Sequence, residues 1–174
     1  MKLIMLSTCF CLCCVFACKK DNGKFNYWGE TSVLKNGEIW SGKIVAHPST
    51  YAPSKVDIII QVFDDMEIQG DALIFFKVPK HLGNYPLSRS TNQPPDDSLV
   101  GAHYIHGYDD GVYDGYDVAS GDSTSYLEVT EYNADKGEFR GNFHVTLYST
   151  IGGAGRWPDT LIFTNGTFHT RIDD

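Results

Sequence analysis

From about residue 30 onward the chain alternates between apolar and polar positions with a period of two. In Glu138 to Leu147, Phe139, Phe143, Val145 and Leu147 share one face; Glu138, Arg140, Asn142, His144 and Thr146 share the other. Side chains of a strand point alternately to its two faces, so this pattern predicts a half-buried antiparallel strand. Tyr126 to Tyr132 repeats it, with Leu127 and Val129 inward. Two other segments, Val56 to Phe63 and Ala72 to Val78, are nearly continuous β-branched and apolar runs bounded by Pro53, Asp64-Asp65 and Pro79, and they predict more deeply buried strands.

Turn chemistry joins these segments. Asn133 to Gly137 reads as a hairpin loop, with Gly137 supplying a positive φ. Asn36-Gly37, between Thr31–Leu34 and Glu38–Trp40, is the strongest hairpin signal in the chain. Asn165-Gly166 recurs near the end, where short flanks fit either a hairpin or a bulge within one long final strand. No amphipathic helix of about 12 residues is present, which leaves room only for short helices in 48–56 or 94–102. The expectation is an all-β fold: a single antiparallel β-sandwich or flattened barrel of eight to nine strands in meander-like order.

The N-terminus differs from the rest. Met1-Lys2 precede an apolar run from Leu3 to Ala17, and Cys18-Lys19-Lys20-Asp21 follow. These are the parts of a secretory signal, and the run is shorter than the ~20 apolar residues of a membrane-spanning helix. Val15-Phe16-Ala17-Cys18 resembles the lipobox of bacterial lipoproteins. That resemblance implies cleavage before Cys18, lipidation of Cys18, and, with Lys19 rather than Asp next, delivery to the outer membrane. The chain then divides into a signal peptide (1–17), a lipidated tether (18–24) and one β domain (25–174).

Cleavage would leave 157 of the 174 residues, at a net charge of −9 in place of −8. All five cysteines lie within residues 9–18, so the mature chain would keep Cys18 alone, bearing lipid. That excludes a disulfide, a thiolate nucleophile and a cysteine-based zinc site in the β domain. The acidic balance also argues against nucleic acid, whose phosphates require clustered Lys and Arg.

The most unusual stretch is 103–122. Tyr104, Tyr108, Tyr113 and Tyr116 are interleaved there with Asp109, Asp110, Asp114 and Asp117, among several glycines. Calcium takes six to eight oxygens, often from closely spaced Asp in Gly-containing loops, so these four carboxylates form a candidate calcium site, although the EF-hand spacing is absent. The alternative is a solvated acidic loop whose Tyr rings cover part of the core. Aromatic faces also stack on sugar rings and anchor protein interfaces, which makes the four tyrosines candidate ligand-binding residues for a glycan or an envelope protein. His103 and His106, three apart, face opposite sides of any strand and cannot chelate one ion there. Trp28, Trp40 and Trp157 read as core plugs or loop anchors, with a ligand groove as the alternative. No nucleophile elbow, Walker loop or dinucleotide fingerprint occurs, and Gly152-Gly153-Ala154-Gly155 opens no helix.

Several fragments together resemble a group of uncharacterised, β-rich lipoproteins of Bacteroidota. They are Asn36-Gly37-Glu38-Ile39-Trp40, Gly83-Asn84-Tyr85-Pro86-Leu87, Leu127 to Tyr132, Gly141-Asn142-Phe143 and Thr164-Asn165-Gly166-Thr167-Phe168. The order of parts is kept; residues 88–122 depart by being longer and more acidic. The resemblance implies an all-β fold and an envelope location, and it carries no activity. The expected function is that of a lipid-anchored envelope protein with a binding or structural role. An envelope hydrolase acting on glycan, or a carrier of small lipophilic ligands with a cavity lined by Phe and Ile, is the alternative.

Overall fold

The computed structural model describes residues 25–50, 52–89, 99–150 and 157–173. The signal segment, Cys18, the tether, residues 94–98 of the second candidate short helix and the Gly152–Gly155 loop lie outside them. Among the described residues the protein is all-β, with no helix. In chain order the strands are β1 (Gly29–Lys35), β2 (Glu38–Trp40), β3 (Lys43–Pro48), β4 (Lys55–Phe63), β5 (Gln69–Pro79), β6 (Gly83–Arg89), β7 (Val100–Tyr108), β8 (Gly111–Val118), β9 (Tyr126–Asn133), β10 (Glu138–Ser149) and β11 (Thr160–Arg171).

The expectation of eight or nine antiparallel strands in meander order is therefore corrected in detail. The strands form one mixed sheet of eleven, in the order β2-β1-β11-β10-β9-β6-β7-β5-β4-β3, with β8 bridging β7 and β10. The parallel pair is β6 with β7, at Leu87↔Val100 to Arg89↔Ala102. β6 and β8 share the gap between β7 and the β9–β10 hairpin. β6 covers the first residues of β7, and β8 covers His103 to Tyr108. Where β10 passes from β9 to β8, the Thr146 N–H is satisfied by the Ser125 hydroxyl at 2.9 Å, and Asp122 holds that hydroxyl. The Thr146 N–H thus keeps a partner at the fork, as a buried backbone donor must.

The sheet curls until its ends meet. Trp28 N–H donates to Ile44 C=O at 2.9 Å, Asp173 N–H donates to Ala46 C=O at 2.7 Å, and Ala46 bridges Ile172 in parallel. The enclosed face is apolar: Phe75, Phe139, Phe143 and Phe163 are at most 1% exposed and pack with Ile58 and Leu73, both at 0%. The Phe75 and Phe143 rings meet edge to face at 5.1 Å.

The local signals act as their chemistry requires. Asn36 and Gly37 both take positive φ, +51° and +86°, which a two-residue turn between twisted strands demands. Asn165-Gly166 forms a bulge, not a hairpin: Asn165 has φ +54° inside β11, and the pairing with β10 shifts there between Phe143 and Val145. A Cβ on Gly166 would lie 2.5 Å from the Phe143 ring, so the core fixes glycine at this position. Residues 48–50 and 52–56 make the β3–β4 turn and the start of β4, not a helix.

Replacing Phe143 by Ala should lower stability by about 3–5 kcal/mol, because it deletes a ring at the centre of a close-packed core. Replacing Ile39, which is 86% exposed, by Ala should change stability by no more than about 0.5 kcal/mol. Urea denaturation of the two variants measures both.

Candidate functional site

One end of the curled sheet carries the β1–β2, β4–β5 and β7–β8 turns and the start of β11. There the inward-facing positions change from apolar to polar. Lys35 closes β1, Asp71 lies near the start of β5, Tyr104 and His106 alternate along β7, and Asp114 and Tyr116 alternate along β8. The register sets Tyr104 opposite Tyr116 and His106 opposite Asp114.

Asp71 is the hub. It accepts hydrogen bonds from the Tyr104 hydroxyl, from Lys35 Nζ at 3.3 Å and from His106 Nδ1 at 2.6 Å. Lys35 Nζ also donates to the Tyr104 oxygen at 2.6 Å and lies 4.8 Å from the centre of that ring. Burial by itself would push the Asp71 carboxyl up; the Tyr104 hydroxyl, the Lys35 ammonium and His106 outweigh it and hold the group below the ordinary carboxylate value. Tyr104 is only 1% exposed, and burial followed by the Asp71 carboxylate raises its hydroxyl well above the ordinary phenol value. Burial and then the neighbouring Asp114 push Tyr116 up to about 12.

Of these residues, Lys35, Tyr104, His106 and Tyr116 border a cavity of 130 Å³. Lys35, Asn36 and His106 give it polar edges, Tyr104 and Tyr116 contribute rings, and Trp157, Pro158 and Leu161 wall it. The His106 and Trp157 ring centres are 4.0 Å apart, and the Tyr113 ring centre lies 5.8 Å from that of His106. Trp157 is 40% exposed, which sets aside the core plug and leaves the loop anchor and the groove as its readings. Trp40 packs against the core, and Trp28 sits edge-on to His169. A larger hollow of 260 Å³ lies around Arg140, Asn142 and Thr167, with the buried Gly141 and Phe168 also reaching its wall.

The stretch 103–122 is largely a hairpin, not a loop. Its four tyrosines separate: Tyr104 and Tyr116 are buried at the cavity, Tyr113 is exposed, and Tyr108, also exposed, donates to Asp64 at 2.8 Å. The four aspartates do not converge. Asp109 and Asp110 form the exposed β7–β8 turn. Asp114 faces inward and accepts from Gly115 N–H at 2.8 Å and from the Ser149 hydroxyl at 3.1 Å. Asp117 lies on the opposite face, bound to His103 Nδ1 at 2.8 Å and Arg89 Nε at 3.2 Å. Strand alternation sends 114 and 117 to different sides, so the candidate calcium set does not assemble. Among the described residues no three His, Cys, Asp or Glu side chains gather as a metal site. His103 and His106 do face opposite sides, each against a different aspartate.

Sequence reasoning missed Lys35, Asp71 and His106 as site residues. No family model, curated protein or solved structure matches this chain.

Because Asp71 has a lower pKa folded than unfolded, its stabilisation is present above the ordinary carboxylate range and is lost as pH falls through the folded value. Asp71→Asn should therefore be less stable than the parent by about 1–3 kcal/mol at neutral pH, since three donors lose their charged acceptor. The gap should close below about pH 4. Denaturant titrations at several pH values test this; a gap that stays constant down to acid pH contradicts it.

Proposed function

We propose that this chain is a lipid-anchored cell-envelope protein that captures glycan at the cavity end of its β domain. The lipobox ending at Cys18 supports the anchor. The observation that carries the binding role is the cavity, where aromatic walls meet a few convergent polar groups, the usual make-up of a small-ligand site at the mouth of a curled sheet. Trp157 gives it an exposed face for a sugar ring.

The layout of the chain agrees with this reading. Residues 25–28 run along β3 away from the cavity, with Trp28 bonded at Ile44 and Phe25 stacked on His47. Along the β1–β11 pair, Lys35 at the cavity sits opposite Phe163, and Gly29 sits opposite Thr170. The seven steps from Phe163 to Thr170 along β11 span about 23 Å. A lipid tether joined at Phe25 would therefore leave the cavity end turned outward from the bilayer.

The other readings find less support. The Phe and Ile side chains that would line a carrier's cavity fill the interior at 0–1% exposure. Asp71, bonded to the lining residues Lys35, Tyr104 and His106, and Asp114, opposite His106 in the register, are both held by donors of the protein itself, an arrangement suited to positioning neighbours more than to hydrolysis.

Two measurements test the proposal. Cys18→Ser should move the protein from the membrane fraction to the soluble fraction. Titration with neutral oligosaccharides, followed by tryptophan fluorescence, should show saturable binding that Trp157→Ala weakens at least ten-fold, or about 1.4 kcal/mol. Binding that survives Trp157→Ala unchanged would rule out this cavity as the site.

A further inference from the structure

Resting on the glycan reading above, the hydrogen-bond inventory of the cavity narrows the ligand to a chemical class. A carboxylate only accepts, so the His106 nitrogen that faces Asp71, Nδ1, carries a proton. In the neutral ring Nε2 then holds a lone pair. Among the described residues Nε2 has no partner, and the ring borders the cavity. Lys35 has three N–H donors, of which Tyr104 and Asp71 engage two. Asn36 turns its side-chain oxygen to Ile162 N–H at 2.8 Å, which leaves its amide N–H groups as donors. The cavity edge thus presents one acceptor flanked by donors.

We propose that this edge reads two neighbouring hydroxyls of a single neutral sugar ring, one donating to His106 Nε2 and the next accepting from Lys35 Nζ. A hydroxyl both donates and accepts, so a pair of them matches both groups. A carboxylate matches poorly, because it has no proton to give the Nε2 lone pair. It would also have to approach past Asp64, Asp65, Glu67, Asp109, Asp110 and Asp159, which sit in the turns of this same end. An amine would meet the Lys35 charge. At 130 Å³ the cavity is well below the roughly 300–1,000 Å³ of sites that enclose larger ligands, which limits it to at most a single ring. Asp71 acts as a positioning residue, because its charge fixes the imidazole tautomer through Nδ1.

The test uses the full-length protein in detergent and the methyl glycosides of glucose, galactose and mannose, with glucuronic acid and glucosamine as charged counterparts. At least one neutral glycoside should bind at least ten-fold more tightly than both charged sugars. Its monodeoxy analogues should identify two adjacent hydroxyls whose removal each weakens binding at least ten-fold. Nitrogen-15 NMR of the imidazoles should show the Nε2 signal of His106 moving on saturation. The last two measurements need no variant, so a folding defect cannot obscure them. His106→Gln should weaken binding ten-fold or more while leaving the circular dichroism spectrum unchanged. Equal or tighter binding of glucuronic acid or glucosamine, or saturation with the His106 signal unmoved, overturns this inference and leaves glycan capture standing. No binding by any saccharide, oligosaccharides included, overturns both.

Discussion

A sheet with one apolar face and no helix to cover it must shield that face with itself. This constraint organises the whole molecule. It explains why eleven strands curl until β3 meets the ends of β1 and β11, and why the enclosed face is built from Phe, Ile, Leu and Val. It also explains why β6 and β8 are both needed between β7 and the β9–β10 hairpin. One short strand would leave part of β7 without partners and the core open beneath it.

The same constraint creates the candidate site. Inward-pointing positions continue to the last residues of each strand, but beyond the Phe163 ring there is no facing layer to pack against. Polar side chains appear there, and each must find partners because it is still largely removed from water. Asp71 answers for three of them at once. Its carboxylate ties β1, β5 and β7 together through Lys35, Tyr104 and His106, so the groups that edge the cavity are also those that hold its strands in register. A network of this kind is rigid when every member is satisfied. Rigidity is what a weak-binding polar site requires, since less ordering is left to offset on ligand capture.

Much of the fold was legible in the residue pattern. The strict alternation of Glu138 to Leu147 matches the burial of β10 position by position, and the Asn36-Gly37 turn and the Gly137 loop follow from backbone sterics alone. Residues 100–118 were hard to read as strands, because four Gly and four Asp are interspersed there and suggest a loop. A period-two signal was present all the same, in Ala102, Tyr104 and His106 and again in Asp114, Tyr116 and Val118, but its inward set is half polar. The site was hidden for a related reason. Lys35, Asp71, His106 and Trp157 are spread over more than a hundred residues, and only the order of strands in the sheet brings them together. Spacing along the chain carries no trace of such a meeting.

The seam of the curled sheet has a consequence of its own. β3 is an edge strand, and over Ile44 to Ala46 its free side is occupied by the first and last described segments, through Trp28, Ile172 and Asp173. An uncovered strand edge is a template on which another chain can add a strand, and that route leads to domain swapping and fibrils. The two ends of this domain therefore act as a guard against self-association, so trimming either one endangers solubility before it endangers the core.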